Sequence, residues 1–321
     1  MIKDAGTLKR ISMVIPVYNE EGSLPSLSEK IIEVLSTLKA PYEILFIDDG
    51  STDNSLSIIK NLRKDNPQIK LIEMRRNFGK SDALASGFNC VTGDIIITMD
   101  ADLQDEPEEI PRFITKLEEG YDLVSGWKKN RKDPITKIIS SRVFNSVVSL
   151  LSGVKIHDFN CGFKAYRREV VENLDVYGEL HRFLPALAHQ KGFRVDEIEV
   201  KHHRREFGES KYGKYGFRRF ANFLLDPINV LLLTKYSKKP IHFFGVAGLF
   251  SFFIGFIFGS YLTILKIATG TFQGHYPLLI FVALLIIVGV QLVSLGLIGE
   301  MISQIIIKSG KDEGKIKNRF I

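Results

Sequence analysis

The sequence predicts an α/β domain on a mostly parallel sheet, followed by an α-helical transmembrane hairpin. Three observations predict it. Short apolar runs such as Ile11–Val17 and Ile95–Met99 alternate with stretches of helical length, the pattern of βαβ units. Polar clusters close several of those runs, where ligands bind in such sheets. Beyond Lys239 stand two uncharged apolar segments, each meeting the roughly 20 residues that cross a hydrocarbon core.

In chain order, Ile11–Val17 reads as a strand and Asn19–Leu38 as a helix opening on Glu20 and Glu21. Tyr42–Ile47 is a second strand, ending on Asp48-Asp49-Gly50-Ser51. Thr52–Asp65 reads as helix, Ile69–Met74 as extended and Ser81–Val91 as helix. The Ile95–Met99 strand follows, ending on Asp100-Ala101-Asp102, and Tyr121–Ser125 forms another. The three polar clusters, Tyr18-Asn19-Glu20, Asp48–Ser51 and Asp100–Asp102, are expected to converge in space. Neither an internal repeat nor a low-complexity tract interrupts the pattern.

The 321 residues carry 43 Lys+Arg against 37 Asp+Glu, a net charge of +6. That excess suits an anionic partner such as a membrane surface, nucleotide or phosphate; no nucleic-acid partner is expected. Cys90 and Cys161 are too few for a disulfide framework and lack metal-site spacing, so a reducing location is expected. The segment MIKDAGTLKR has no apolar core, so no cleaved signal peptide is expected.

The apolar segments run from Ile241 to Leu265 and from Pro277 to Ile298, with glycines at 245, 248, 255, 259, 289, 296 and 299. Small residues at this density suit close helix packing in lipid. Lys235, Lys238 and Lys239 precede the first span; Lys308, Lys311, Lys315, Lys317 and Arg319 follow the second, and the connecting loop holds only Lys266. Positive charge stays inside, so both termini and the N-terminal domain are expected on the cytoplasmic face.

The chain has neither a G-x-G-x-x-G nor a P-loop motif. An Asp in the Asp48–Ser51 turn can accept from a base N–H or a ribose hydroxyl, although such turns also serve purely as turns. Asp100-x-Asp102 with Gln104 is an oxygen-only set suited to Mg²⁺ or Mn²⁺. A metal on a diphosphate would supply the positive charge that two carboxylates at the end of a buried strand require. Asp105 and Glu106, just before Pro107, read as helix caps.

The stretches VIPVYNEE, FIDDGSTDNS, RRNFGKSDALASGF and MDADLQDEPE, with GFKAYRREVV and RREFGESKYG, resemble glycosyltransferase family 2 over roughly residues 10 to 220. The resemblance is to its polyprenyl-phosphate glycosyltransferases, including dolichyl-phosphate mannose synthase and undecaprenyl-phosphate glucosyltransferases with two C-terminal membrane helices. It implies the GT-A (Rossmann-like) fold, a UDP- or GDP-linked hexose (glucose or mannose) as donor, and an undecaprenyl or dolichyl phosphate acceptor on the cytoplasmic membrane face. The transfer would invert the anomeric centre and depend on Mg²⁺ or Mn²⁺. A homo-oligomer, such as a tetramer, is implied by the two-span members.

By the same resemblance Pro16, Tyr18, Glu20, Asp48, Asp49, Arg76, Gly79, Asp100, Ala101 and Asp102 line the nucleotide-sugar site, and Arg205, Ser210 and Lys211 close over the diphosphate. Asp100, Asp102 and Gln104 match the metal set. Lys128, Arg131, Lys137 and Ser141 fall where acceptor-phosphate contacts lie; Arg131, with its planar fork, is the strongest of them. Asp102, Arg131 and Arg205 are the expected catalytic residues. Family members that glycosylate a hydroxyl carry an acidic base, often in a Glu-Asp pair. Here the region reads YGELHRFLPAL, with Glu179 but no Glu-Asp pair, a displaced base being the alternative role for Glu179. A phosphate acceptor arrives already ionised and needs no base.

Two segments carry apolar stripes with basic flanks, the pattern of interfacial helices. One spans residues Ile135 to Leu151 and the other Tyr215 to Leu225. The expected organisation is a cytosolic domain over 1–212, including an interfacial helix about 134–152, and a juxtamembrane amphipathic helix over 213–236. Spans within 237–307 follow, at about 241–265 and 277–303, then a basic tail over 308–321. The histidines lack metal-ligand spacing, and Trp127 is expected to pack beside the acceptor. A processive polysaccharide synthase is disfavoured, because its Q-x-x-R-W motif cannot form around Trp127, the single tryptophan. A membrane-tethered, non-catalytic nucleotide-sugar-binding protein is the other alternative.

Overall fold

A computed structural model of the chain describes residues 3–4, 7–129, 135–174, 176, 178, 180–203, 236, 239–272 and 274–309, with backbone alone at 3–4, 7–8, 135–140 and 304–309. It divides into two compact units.

The α/β unit begins with a short antiparallel pair, β1 (Lys3–Asp4) and β2 (Thr7–Leu8). There follow β3 (Ile11–Val17), α1 (Leu24–Thr37), β4 (Tyr42–Asp48), α2 (Ser55–Asp65), β5 (Ile69–Glu73), α3 (Lys80–Phe88) and β6 (Ile95–Thr98). After a 3₁₀ turn come α4 (Ile110–Glu118), β7 (Leu123–Trp127), α5 (Ile135–Ser152), β8 (Lys164–Arg167), α6 (Arg168–Glu172), α7 (Leu184–Gln190) and β9 (Val195–Glu199). The seven-stranded sheet has the order β5-β4-β3-β6-β8-β7-β9. Every pairing is parallel except those of β8, which runs antiparallel between β6 and β7.

Strand alternation separates two cores. Ile11, Met13 and Ile15 pack with Leu24 and Leu27 of α1, Ile59 of α2 and Phe113 of α4. Val14 points the other way, with Leu45, Ala83 of α3, Val170 of α6 and Leu184 of α7. A sheet covered on both faces explains why its strands read as continuous apolar runs.

The register Val17↔Asp48 and Asp48↔Glu73 aligns the carboxyl ends of β3, β4 and β5. Helix α1 starts at Leu24, later than the sequence suggests. Asn19 takes a left-handed φ of 55°, and its backbone N–H donates to Ser51 Oγ at 3.0 Å. Glu20 N–H likewise donates to Ser55 Oγ at 2.8 Å, so the first loop is laced to the second. The Tyr121–Ser125 prediction is displaced to Leu123–Trp127, and β8 and β9 had no counterpart in the sequence reading.

Within α5, Val148 is buried and Phe144 packs on Phe183 at 5.8 Å, whereas Val143 and Leu150 face outward. The expected juxtamembrane helix over 213–236 lies, apart from Tyr236, outside the described residues.

The second unit is a hairpin of α8 (Pro240–Thr269) and α9 (Tyr276–Ser309), both long and apolar enough to cross a membrane. Helix α8 ends on Gly270, whose φ of 76° forms the left-handed cap. The helices meet where Gly248 faces Gly289: a Cβ on Gly248 would lie 2.6 Å from the Gly289 carbonyl oxygen. Ser251 Oγ donates to the Leu285 carbonyl at 2.9 Å beside that crossing. Phe250, Phe253, Phe256, Ile280 and Leu284 are exposed, the outward apolar face that a hydrocarbon surround would cover.

Candidate active site

Asp49 holds the second loop in shape. Its Oδ1 accepts Phe78 N–H at 2.8 Å and its Oδ2 accepts Gly79 N–H at 2.9 Å. Burial nevertheless pushes its pKa above the ordinary carboxylate value, against those two bonds. Both oxygens are therefore engaged with backbone, and Asp49 serves the loop rather than offering a free carboxylate. Asp48 is buried; its Oδ2 accepts Ser51 N–H at 3.3 Å, while Oδ1 has no hydrogen-bond partner among the described residues. Gly50 (φ 67°) passes so close to Arg76 that a Cβ would lie 2.5 Å from its carbonyl carbon. The Arg76 guanidinium sits 4.5 Å over the Phe78 ring, which is 45% exposed. Phe78 was not among the expected site residues.

Asp100 lies just beyond β6, and residues from three separate stretches gather around it. Lys80, the first residue of α3, forms an ion pair with Asp100 Oδ1. Gly162 lies directly beneath the carboxylate, where a Cβ would stand 2.5 Å from Asp100 Cγ. Burial alone would raise Asp100, but the charges of Lys80, Lys128 and Lys164 outweigh it and hold the carboxyl below its usual range. Lys164 is buried in β8, its ammonium donating to the Cys161 carbonyl, and burial pushes it down to about 8. His181 shares a 2.8 Å contact between Nδ1 and Ser81 Oγ. Burial, then the neighbouring charges of Lys80 and Arg182, push it down to about 2, so its imidazole is neutral.

The segment after Asp100 is a tight turn. Leu103 has φ 56°, and Gln104 N–H donates to Asp102 Oδ1 at 3.3 Å. Gln104 Nε2 donates to the His203 carbonyl at 3.1 Å, and His203 N–H returns a bond to the Gln104 carbonyl at 2.8 Å. Ala101 is buried, with its carbonyl accepting from Ser23 Oγ at 2.6 Å. Asp105 is not a helix cap: it is buried and ion-paired with Lys128 at 2.8 Å. Burial raises that carboxyl, yet Lys128 and His202 together bring it below the ordinary value. Burial opposes the Lys128 charge, but the carboxylates of Asp105 and Asp100 help to push its pKa above the ordinary lysine value.

Lys128, expected on the acceptor phosphate, is thus committed to Asp105 in the interior, its side chain 10% exposed. Ser141 accepts from Asn145 Nδ2 at 3.4 Å on α5. Trp127 stacks on His157 with ring centres 4.2 Å apart, beside Lys129 at 5.3 Å. Pro16 is the penultimate residue of β3, and Tyr18 and Glu20 follow the strand. Arg131, Lys137, Glu179, Arg205, Ser210 and Lys211 lie outside the residues with described side chains.

Asp100, Asp102 and Gln104 offer two carboxylates and an amide oxygen, a hard-oxygen set that fits Mg²⁺ or Mn²⁺. No cluster of three or more His, Cys, Asp or Glu that could hold a metal occurs among the described residues. The remaining coordination positions would fall to water and a diphosphate, as Mg²⁺ prefers. Gly162 keeps the space beneath Asp100 free of side chain.

The fold places polar loops at the carboxyl ends of parallel strands, around a cation-ringed carboxylate, in a chain with two span-length helices. The comparisons agree. The glycosyl transferase family 2 model matches residues 12–175, and the chain belongs to that family and is a glycosyltransferase. An undecaprenyl-phosphate 4-deoxy-4-formamido-L-arabinose transferase from Klebsiella pneumoniae subsp. pneumoniae is 38% identical over 300 residues, covering 93% of this chain and 89% of the relative. The protein of that name from Proteus mirabilis is 37% identical over 303 residues, covering 93% and 90%. Glucosyl-3-phosphoglycerate synthase from Mycobacterium tuberculosis, solved with Mn²⁺, uridine diphosphate and phosphoglyceric acid, shares the fold. Its TM-score is 0.52 at 19% identity, covering 70% of this chain and 78% of that one. The two span-length helices, in a chain matched over 93% of its length by the first of these relatives, make this a membrane protein.

Proposed function

We propose that this glycosyltransferase moves a sugar from a UDP- or GDP-linked donor to a polyprenyl phosphate at the cytoplasmic membrane face, with a divalent cation. The observation that carries the proposal is the gathering at Asp100: Lys80, Lys128 and the Gly162–Lys164 segment, from three separate stretches of sequence, surround one carboxylate beyond a parallel strand. The names of the undecaprenyl-phosphate relatives support the acceptor. Those names specify an arabinose derivative, a pentose, so the expected glucose or mannose has no support from them and the donor sugar is an open variable of the assay.

A phosphate monoester is largely dianionic at neutral pH. One of its oxygens attacks the sugar C1 opposite the departing diphosphate; the new C1–O bond forms as the old one breaks, inverting the centre. The electron pair leaves with the nucleoside diphosphate, and no proton has to be removed from the nucleophile. When bound, the divalent cation supplies positive charge for the leaving group, and Asp100, Asp102 and Gln104 would hold it. Asp49 shapes the nucleotide loop through Phe78 and Gly79, and Lys164 adds fixed positive charge close to Asp100. Arg131, Lys137 and Ser141 are the acceptor-phosphate set, and Arg205, Ser210 and Lys211 the diphosphate set. Arg131, Arg205 and Asp102 take the catalytic roles.

The lysine asymmetry around the spans supports an inward-facing domain over 1–212, a juxtamembrane helix over 213–236 and a basic cytosolic tail over 308–321. Assembly into a homo-oligomer belongs to the same reading.

The test compares polyprenyl phosphate with the free polyprenol as acceptor, using the full chain in detergent with Mn²⁺. Transfer to the phosphate alone is expected, abolished by Asp102→Ala without loss of the folding transition. Equal transfer to the alcohol would overturn the acceptor assignment; full activity of Asp102→Ala would overturn the metal assignment.

A further inference from the structure

We propose that Lys80 is a resident counter-cation of Asp100 which a divalent metal has to displace, so that metal entry is an exchange of one cation for another. This rests on the metal-dependent reading above and adds a residue that the expected site did not contain.

The position of Lys80 is fixed from several sides. Gly79, immediately before it, has φ 102° and its N–H is held by Asp49 Oδ2. Ser81, immediately after it, is tied to His181 through both the imidazole and the backbone N–H of that residue, at 2.8 and 3.2 Å. The backbone of the first turn of α3 is therefore anchored, and the lysine stem carries its ammonium to Asp100 Oδ1. Gly162 packs so closely on the carboxylate that a Cβ there would lie 2.5 Å from Asp100 Cγ, which leaves the group no room to move toward it.

Two ion pairs in this region differ in a way that assigns them different work. Lys128–Asp105 is closed, with side chains 10% and 1% exposed; Lys80–Asp100 is open, at 26% and 31%. A closed pair is a fixture, because separating it strands a buried charge. An open pair exchanges, because water receives the released ammonium. A divalent ion and an ammonium on one carboxylate repel each other strongly at such range, and the four-carbon stem lets the ammonium swing away while the backbone stays. The exchange keeps Asp100 neutralised throughout, whether or not metal is present.

The test is Mn²⁺ binding to the full chain in detergent, followed by the electron-spin resonance of free Mn²⁺, without nucleotide. Three proteins are compared: wild type, Lys80→Met and Lys80→Arg. Removing the competing cation is expected to tighten Mn²⁺ binding by about threefold to tenfold, the range of a partly exposed ion pair. Lys80→Arg keeps the competitor and is expected to bind no tighter than wild type. A tightening cannot arise from misfolding, and a thermal melt of each variant checks the fold. Unchanged or weaker binding by Lys80→Met would overturn the exchange while leaving the metal reading intact. Absence of Mn²⁺ binding in all three proteins would overturn both.

Discussion

Gly162→Ala perturbs the carboxylate at the centre of the site and little else. The new Cβ would lie 2.5 Å from Asp100 Cγ, whereas carbons in contact sit about 3.5–4.0 Å apart. Something must therefore yield by about 1 Å. The Gly162 backbone is anchored, since its carbonyl accepts from Thr98 Oγ1 at 2.8 Å on the neighbouring strand. Gly162 is not among the positive-φ glycines, so alanine suits the backbone and the displacement falls on Asp100. A misplacement of about 1 Å at a reacting centre costs on the order of 100-fold in rate. Overpacking costs about 1–3 kcal/mol of stability, a melting shift of roughly 2–12 °C for a domain of this size. The assay is initial transfer rate against a melting curve of the same preparation. A fall of about two orders of magnitude in kcat, with the protein still folded, is expected. Near-normal turnover, with Mn²⁺ binding unchanged, would refute the reasoning that Asp100 must occupy this position.

Three other consequences follow from the geometry. Lys128→Met strands Asp105, only 1% exposed, and is expected to cost about 3–5 kcal/mol, a melting decrease of roughly 10 °C or more. The double variant with Asp105→Leu recovers much of this, whereas a melt unchanged in the single variant would return Lys128 to the acceptor site. Glu43 accepts from Ser12 Oγ at 2.5 Å, from Thr92 N–H at 2.6 Å and from Lys70. Burial opposes its charge, but these partners lower it from 4.5 to about 2. The folded value lies below the unfolded one, so its stabilisation is complete above pH 4.5 and is lost as pH falls toward 2. Urea midpoints across that range should fall more steeply in wild type than in Glu43→Gln; parallel curves would remove Glu43 as the acid-labile group. Gly248→Leu pushes against the Gly289 carbonyl, so disulfide formation between Ser251→Cys and Leu285→Cys is expected to fall severalfold. Unchanged cross-linking would mean that the helices do not cross at that glycine pair.

The parallel part of the sheet was legible because β3, β4 and β6 are buried on both faces and appear as dense apolar runs. The acids at their ends were legible because charge beside such a run has to be compensated. Strand β8 escaped notice because it is four residues long, contains Lys164 and Arg167 at its two ends, and lies antiparallel to its neighbours. Its burial comes from tertiary packing, which local periodicity does not carry. A lysine inside CGFKAYR was nevertheless a usable signal, since an isolated charge in an apolar stretch points to a buried partner. Lys80 adjoins Gly79, which the sequence did single out, but only the turn between them reveals its reach to Asp100. Asp105 looked like a helix cap because Pro107 follows; its partner Lys128 comes from a distant strand end. His181 was one histidine among seven, and its place beside Ser81 depends on a 3₁₀ turn packing against α3.

The most direct measurement of the central claim is the mass of the lipid formed by the purified full chain with undecaprenyl phosphate, Mn²⁺ and a panel of UDP- and GDP-sugars. That panel includes glucose, mannose and 4-deoxy-4-formamido-L-arabinose. The account predicts one new product whose mass equals the lipid phosphate plus one sugar residue, formed with release of the nucleoside diphosphate and lost on chelation of the metal. A product carrying several sugars, or donor hydrolysis without any glycosylated lipid, would contradict it.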